Sequence, residues 1–158
     1  MANTFTQIYI HFIFAVKGRD RLIGPNWEDE LYKYITGIIQ NSGHKLLAIG
    51  GMPDHLHIFT GMKPDHSVSE LMRLVKSNSS KWINEKRFTR TKFQWQEGFG
   101  AFSYANSQLD SVIGYINRQK EHHKRQSFKA EYLEILEKFK VEFDLKYILN
   151  EVEELYQH

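Results

Sequence analysis

The chain has 158 residues, with 21 Lys plus Arg against 19 Asp plus Glu, so its formal net charge is +2. That length suits one domain able to bury a core unaided, and 41% hydrophobic with 25% charged residues lies far from disordered composition. The lack of cysteine excludes disulfides, thiolate zinc sites and a cysteine nucleophile, and any metal must draw on the eight histidines, carboxylates or amides.

The most apolar run, Ile8 to Val16, is too short to span a bilayer and carries His11 in its middle. It has no basic stretch before it and no small-residue cleavage site after it. No membrane association and a cytoplasmic protein are therefore expected.

Ile8, Ile10, Phe12, Phe14 and Val16 alternate with Tyr9, His11, Ile13 and Ala15, the period-2 pattern of a strand. Gly24-Pro25-Asn26 breaks the chain. Trp27 to Ile39 then has helical spacing at Leu31, Tyr34, Ile35, Ile38 and Ile39, with acids in its first turn. Lys45 to Met52 and His55 to Met62 read as strands joined at Pro53-Asp54. Ser67-Val68-Ser69-Glu70 has capping-box spacing and opens a helix to about Lys86. Phe93 to Tyr104 is strand-like, interrupted by Gly98 and Gly100. Helices are expected from about Ser107 to His123, from Ser127 to Lys140 and from Asp144. The order β-α-β-β-α-β defines an α+β, ferredoxin-like split βαβ plan, an antiparallel sheet with two helices on one face. The appended C-terminal helices, one of which carries Tyr115, could cover the other face.

His55 and His57 are one residue apart on a strand, so their imidazoles share a face while Leu56 and Ile58 point to the core beneath the two helices. Such a pair is either polar strand surface or a grip for one divalent ion. A histidine-triad hydrolase would need a third His where Phe59 stands, and a two-histidine phosphoesterase would need Thr or Ser there. On the helix after Gly100, Leu109, Val112, Ile113 and Ile116 form the apolar stripe. Tyr115 lies off that stripe, with Gln119 four residues on and His122 and His123 beyond it. Tyr115 is either a packing-boundary tyrosine or a phenol nucleophile towards phosphorus. In the second case Gln119 could add an oxygen ligand to an ion held by His55 and His57, a site suited to Mg²⁺ or Mn²⁺.

His55-Leu56-His57 resembles the His-hydrophobic-His motif of HUH endonucleases, and Tyr115-Ile116-Asn117-Arg118-Gln119 resembles the single-tyrosine helix of small insertion-sequence transposases of the TnpA type. Met52-Pro53-Asp54 and the stretch from Trp95 to Ser103 are similar as well, and the likeness runs from about Thr6 to Tyr147. It implies a metal-dependent DNA transposase, a single-stranded DNA endonuclease and strand transferase. Tyr115 would attack a phosphodiester to form a 5′-phosphotyrosine, with His55, His57 and Gln119 holding the ion. It also implies hairpin DNA at element ends as substrate, and a homodimer whose active sites are shared between subunits. In this scheme residues 1–125 form the catalytic domain and 126–158 a helical extension packed on it.

From Arg73 to Lys92 there are seven basic residues and one acid, with Ser77, Ser79 and Ser80 among them. Arg73, Lys76, Lys81 and Arg87 are candidate phosphate contacts, joined by Arg118 and Lys120 in a second basic patch with Lys124 and Arg125. The alternatives are a solvated helix face, and for Trp95 either core packing or base stacking. Two further functions compete: a non-catalytic ferredoxin-like nucleic-acid-binding module, and a domesticated hairpin-processing relative of the transposases. An RNA-recognition module would want exposed aromatics where the third strand carries histidines.

Overall fold

The structure is a computed structural model that describes residues 4–122 and 126–141. Strand β1 spans Tyr9–Ala15, helix α1 Glu28–Asn41, β2 Lys45–Met52, β3 His55–Gly61, helix α2 Val68–Lys86 and β4 Gly100–Tyr104. Helices α3 (Leu109–Asn117), α4 (Gln119–His122) and α5 (Phe128–Lys138) follow. The sheet order is β2-β3-β1-β4 with every pairing antiparallel, the split βαβ topology expected from the element order. The helix expected from Asp144 lies outside the described residues.

Alternation along β1 and β3 divides the sheet into two faces. Phe12, Phe14 and Val16 with Leu56 and Ile58 meet Leu31, Ile35 and Ile39 of α1 and Leu71, Met72, Val75 and Ile83 of α2 in the main core. Burying side chains of this size stabilises the fold by about 1.5–3 kcal/mol each relative to exposure. Helix α2 starts where Ser67 Oγ accepts the Glu70 N–H at 3.1 Å. It ends at Arg87, whose left-handed conformation (φ 57°) closes the last turn.

The opposite face carries Ile13, Ala15, His55, His57 and Phe59, and it is covered. Val112 and Ile116 of α3 pack on Ala48 and Phe59. Phe128, Ile135 and Leu136 of α5 pack on Ile13, Ala15 and Phe102. Gly50 makes the first contact possible, since it pairs with His57 across the ladder and lies under α3. A Cβ on Gly50 would sit 2.5 Å from the Ile116 carbonyl oxygen, a backbone atom that cannot move alone. Gly50→Ala is therefore expected to lift α3 and cost about 1–3 kcal/mol, read as a lower Tm in thermal unfolding.

Two expectations need correction. Only Gly100–Tyr104 of the segment from Phe93 is a strand, apart from an isolated bridge between Val16 and Trp95. The rest is tied down by α2 side chains. Asn84 accepts from Phe93 N at 2.7 Å and donates to Phe93 O at 3.1 Å, while Lys76 Nζ donates to the carbonyls of Gln96 (2.7 Å) and Gly98 (2.6 Å). Backbone groups satisfied by side chains are not free to form a ladder. The helix expected over 107–123 is also not continuous. Its first turn is 3₁₀ (Asn106–Gln108), and Arg118 (φ −103°, ψ 21°) separates α3 from α4.

Candidate active site

Strand β3 directs His55 and His57 to the face away from α1 and α2, and both are fully buried. Their Nε2 atoms point into one cluster, because each Nδ1 is held from behind. His55 Nδ1 is 2.7 Å from Asp54 Oδ1, and His57 Nδ1 is 2.8 Å from His11 Nε2. Holding one imidazole nitrogen this way fixes the ring and aims the other at a ligand. His11 reaches His57 from the neighbouring strand, where Ile13 is the residue paired with His57. The His11 Nδ1 is buried with no hydrogen-bond partner among the described residues.

Gln119, at the start of α4, is 1% exposed and turns its amide inward. Its Oε1 lies 3.4 Å from His55 Nε2, and its Nε2 donates to Glu131 Oε2 at 3.2 Å. The break at Arg118 thus replaces a regular helical flank, yet Tyr115 and Gln119 still converge, on Glu131. Tyr115 donates its hydroxyl proton to Glu131 Oε2 and stands edge-on to His57, with ring centroids 5.8 Å apart. The remaining Glu131 oxygen, Oε1, is 3.0 Å from His57 Nε2 and 3.5 Å from His55 Nε2. His55, His57 and Glu131 therefore form a buried group whose ligand atoms lie within 4.8 Å of one another, a spacing that could hold a metal ion.

The electrostatics follow from these contacts. Burial pushes the Tyr115 phenol well above its ordinary range, and the Glu131 carboxylate adds to the shift. Burial would lower His55, but Asp54 and Glu131 beside it hold its pKa above the usual value. Burial and the neighbouring His57 push His11 well below it. A cleft of about 430 Å³ lined by His11, Tyr104, Ser111, Tyr115, Glu131 and Lys138 opens beside the tyrosine.

The basic candidates divide. Arg73, Lys81, Arg87 and Arg118 are exposed. Lys76 is committed to the 96–98 carbonyls, and Lys120 pairs with Glu28 Oε1 at 2.6 Å, so both are engaged within the protein. Ser79 is buried and accepts the Trp95 indole N–H at 2.9 Å, which makes both core residues in place of nucleic-acid contacts. Trp95 also packs edge-on against Phe14 and Phe93. The His122 side chain and residues 123–125 lie outside what is described.

His11, Asp54 and Glu131 are members of the cluster that sequence reasoning did not single out. Asp54 was detectable by its adjacency to His55, and Glu131 by its position in the stripe Phe128, Glu131, Ile135, where an acid interrupts apolar residues. Nothing in the sequence pointed to His11, since its partner depends on strand register.

A split βαβ sheet with paired histidines on one strand and a tyrosine helix laid over them defines the single-tyrosine HUH class. The comparisons give the family: residues 4–119 match the IS200-like transposases, and the chain belongs to that family. It is 24% identical over 75 residues to the ISDra2 transposase TnpA of Deinococcus radiodurans, covering 48% of this chain and 54% of the relative. The chain thus spans about half the length of that curated relative. Two solved structures share the fold. A candidate transposase from Deinococcus radiodurans superposes with a TM-score of 0.61 at 20% identity, over 74% of this chain and 94% of that one. The REP-associated tyrosine transposase bound to a REP hairpin gives 0.59 at 15% identity, over 77% and 72%. Among the described residues no helix is long and apolar enough to cross a membrane.

Proposed function

We propose that this chain is a transposase that cuts and rejoins single-stranded DNA at hairpin-bearing ends, with Tyr115 as nucleophile and Mg²⁺ or Mn²⁺ held by His55, His57 and Gln119. The observation that carries the reading is the convergence of the Tyr115 hydroxyl, two imidazole Nε2 atoms and the Gln119 amide oxygen in one buried cluster. The donor set fits a divalent ion: three neutral N and O donors are pre-aimed, and their outward atoms are already engaged. The ion, when bound, polarises the scissile phosphate and offsets charge developing in the transition state.

The chain's own residues account for the rest. The Tyr115 oxygen forms a bond to phosphorus as the bond to the 3′ oxygen breaks; the phenol gives up its proton and the departing oxygen takes one up. The DNA keeps a 3′-hydroxyl, and the phosphodiester energy is conserved in the 5′-phosphotyrosine, so a new 3′-hydroxyl can reverse the step without ATP. The Glu131 hydrogen bond holds the phenol protonated and oriented until a substrate enters. Exposed Arg73, Lys81, Arg87 and Arg118 would contact phosphates. The described part of the proposed 126–158 extension packs on the sheet through α5. As in the relatives the sequence resembles, two copies are proposed to pair. Mixing Tyr115→Phe and His57→Ala chains restores product only if the sites are shared between subunits.

The test is incubation with Mg²⁺ or Mn²⁺ and single-stranded hairpin DNA, followed by denaturing electrophoresis. A covalent protein–DNA adduct that EDTA prevents is expected; no adduct with any hairpin substrate, or one indifferent to EDTA, overturns the reading. Within it, Asp54→Asn should leave the chain folded but weaken Mn²⁺ binding by about 10–100-fold, because a neutral amide no longer fixes the His55 ring. Titration calorimetry of the variant checks this.

A further inference from the structure

Glu131 has no part in the ligand set proposed above, yet it sits at the centre of the cluster. It occupies the first turn of α5 on the buried side, at 1% exposure, where the stripe Phe128 and Ile135 would accommodate an aliphatic residue. A buried carboxylate is costly unless it is paired. Here its polar partners include four groups of the proposed active site: His57, His55, Gln119 and Tyr115.

We infer that Glu131 is a fourth protein ligand to the divalent ion, and that ion binding thereby clamps α5 onto the sheet. The inference rests on the proposed metal site and deepens it. Three observations support it. First, Glu131 Oε1 lies 3.0 and 3.5 Å from the two imidazole Nε2 atoms. Neighbouring ligands of an octahedral ion at ~2.1 Å are separated by about 3 Å. Second, His55, His57 and Gln119 are all neutral donors, whereas hard divalent ions are commonly held through at least one carboxylate. The other carboxylate at the pair, Asp54, is on the far side of His55, bonded to Nδ1. Third, the two oxygens divide their tasks. Oε1 faces the imidazoles, while Oε2 faces the Tyr115 hydroxyl and the Gln119 amide. One carboxylate would then hold the nucleophile beside the ion.

The experiment compares Mn²⁺ titration calorimetry and hydrogen exchange of the full chain with those of Glu131→Gln and His55→Ala. Glu131→Gln is expected to raise the Mn²⁺ dissociation constant at least ~10-fold. In the wild type, saturating Mn²⁺ should slow amide exchange across α5 at least tenfold, and this slowing should vanish in Glu131→Gln. Should that variant fail to fold, the wild-type exchange measurement decides alone. Unchanged or tighter Mn²⁺ binding by Glu131→Gln, or α5 exchange indifferent to Mn²⁺ in the wild type, overturns the inference. His55→Ala separates the two levels: if it too binds Mn²⁺ like the wild type, the metal site itself is wrong. If only Glu131→Gln does, the three-ligand site stands and the fourth ligand falls.

Discussion

Tyr115→Phe is expected to lower covalent adduct formation at least ~10⁴-fold while hairpin affinity changes by less than about threefold. The substitution removes one oxygen and leaves the ring against His57 and His11, so the α3 contact with the sheet persists. The hydroxyl is the single nucleophile proposed. Its loss also deprives Glu131 of one donor, costing about 1–2 kcal/mol of stability, although His57 and Gln119 still satisfy the carboxylate. Gel-shift binding and adduct yield on the same hairpin separate the two effects. Residual adduct at wild-type level would place the nucleophile elsewhere.

The second large effect belongs to His55. His55→Ala removes a donor that Asp54 aims into the cluster and should weaken Mn²⁺ binding by at least ~10²-fold, with adduct formation falling in parallel. The ring is also packed against Phe128 at 4.4 Å between centroids, so its removal leaves a void beneath α5. A loss of about 1–3 kcal/mol is expected from that void. Measuring Tm without metal isolates the packing term, and measuring it with saturating Mn²⁺ adds the ligand term. A variant that loses Tm but keeps wild-type adduct yield would assign His55 to packing alone.

The sheet and its two covering helices were legible because their signals are local. Alternation in β1, the adjacent-but-one histidines of β3 and the stripe and cap of α2 each lie within a few residues. The His55–His57 pair was visible for the same reason, since strand periodicity alone puts both rings on one face. The segment before β4 misled, because its aromatic residues look like a strand while its backbone is held by Lys76 and Asn84 from α2. That capture depends on tertiary packing. The fate of Lys76, Lys120 and Ser79 was hidden likewise: a basic or hydroxyl side chain on a helix reads as solvated until its neighbour across the fold is known. His11 was out of reach because its partner His57 lies 46 residues away along the chain. Glu131 stood out only as an acid in an apolar stripe, and its pairing with His57, 74 residues away, was hidden.

On the proposed function, those separations govern when the chain becomes competent to cut DNA. Contacts between residues far apart in sequence carry the largest loop-closure cost and lengthen folding. The cluster joins β1, the β2–β3 turn, β3, α3, α4 and α5, so it exists only after the last described helix has docked. A chain still emerging during synthesis, or one cut before residue 131, holds the tyrosine and both imidazoles without the carboxylate that gathers them. On that reading, cleavage competence is a readout of completed folding, and the immature forms are expected to be silent.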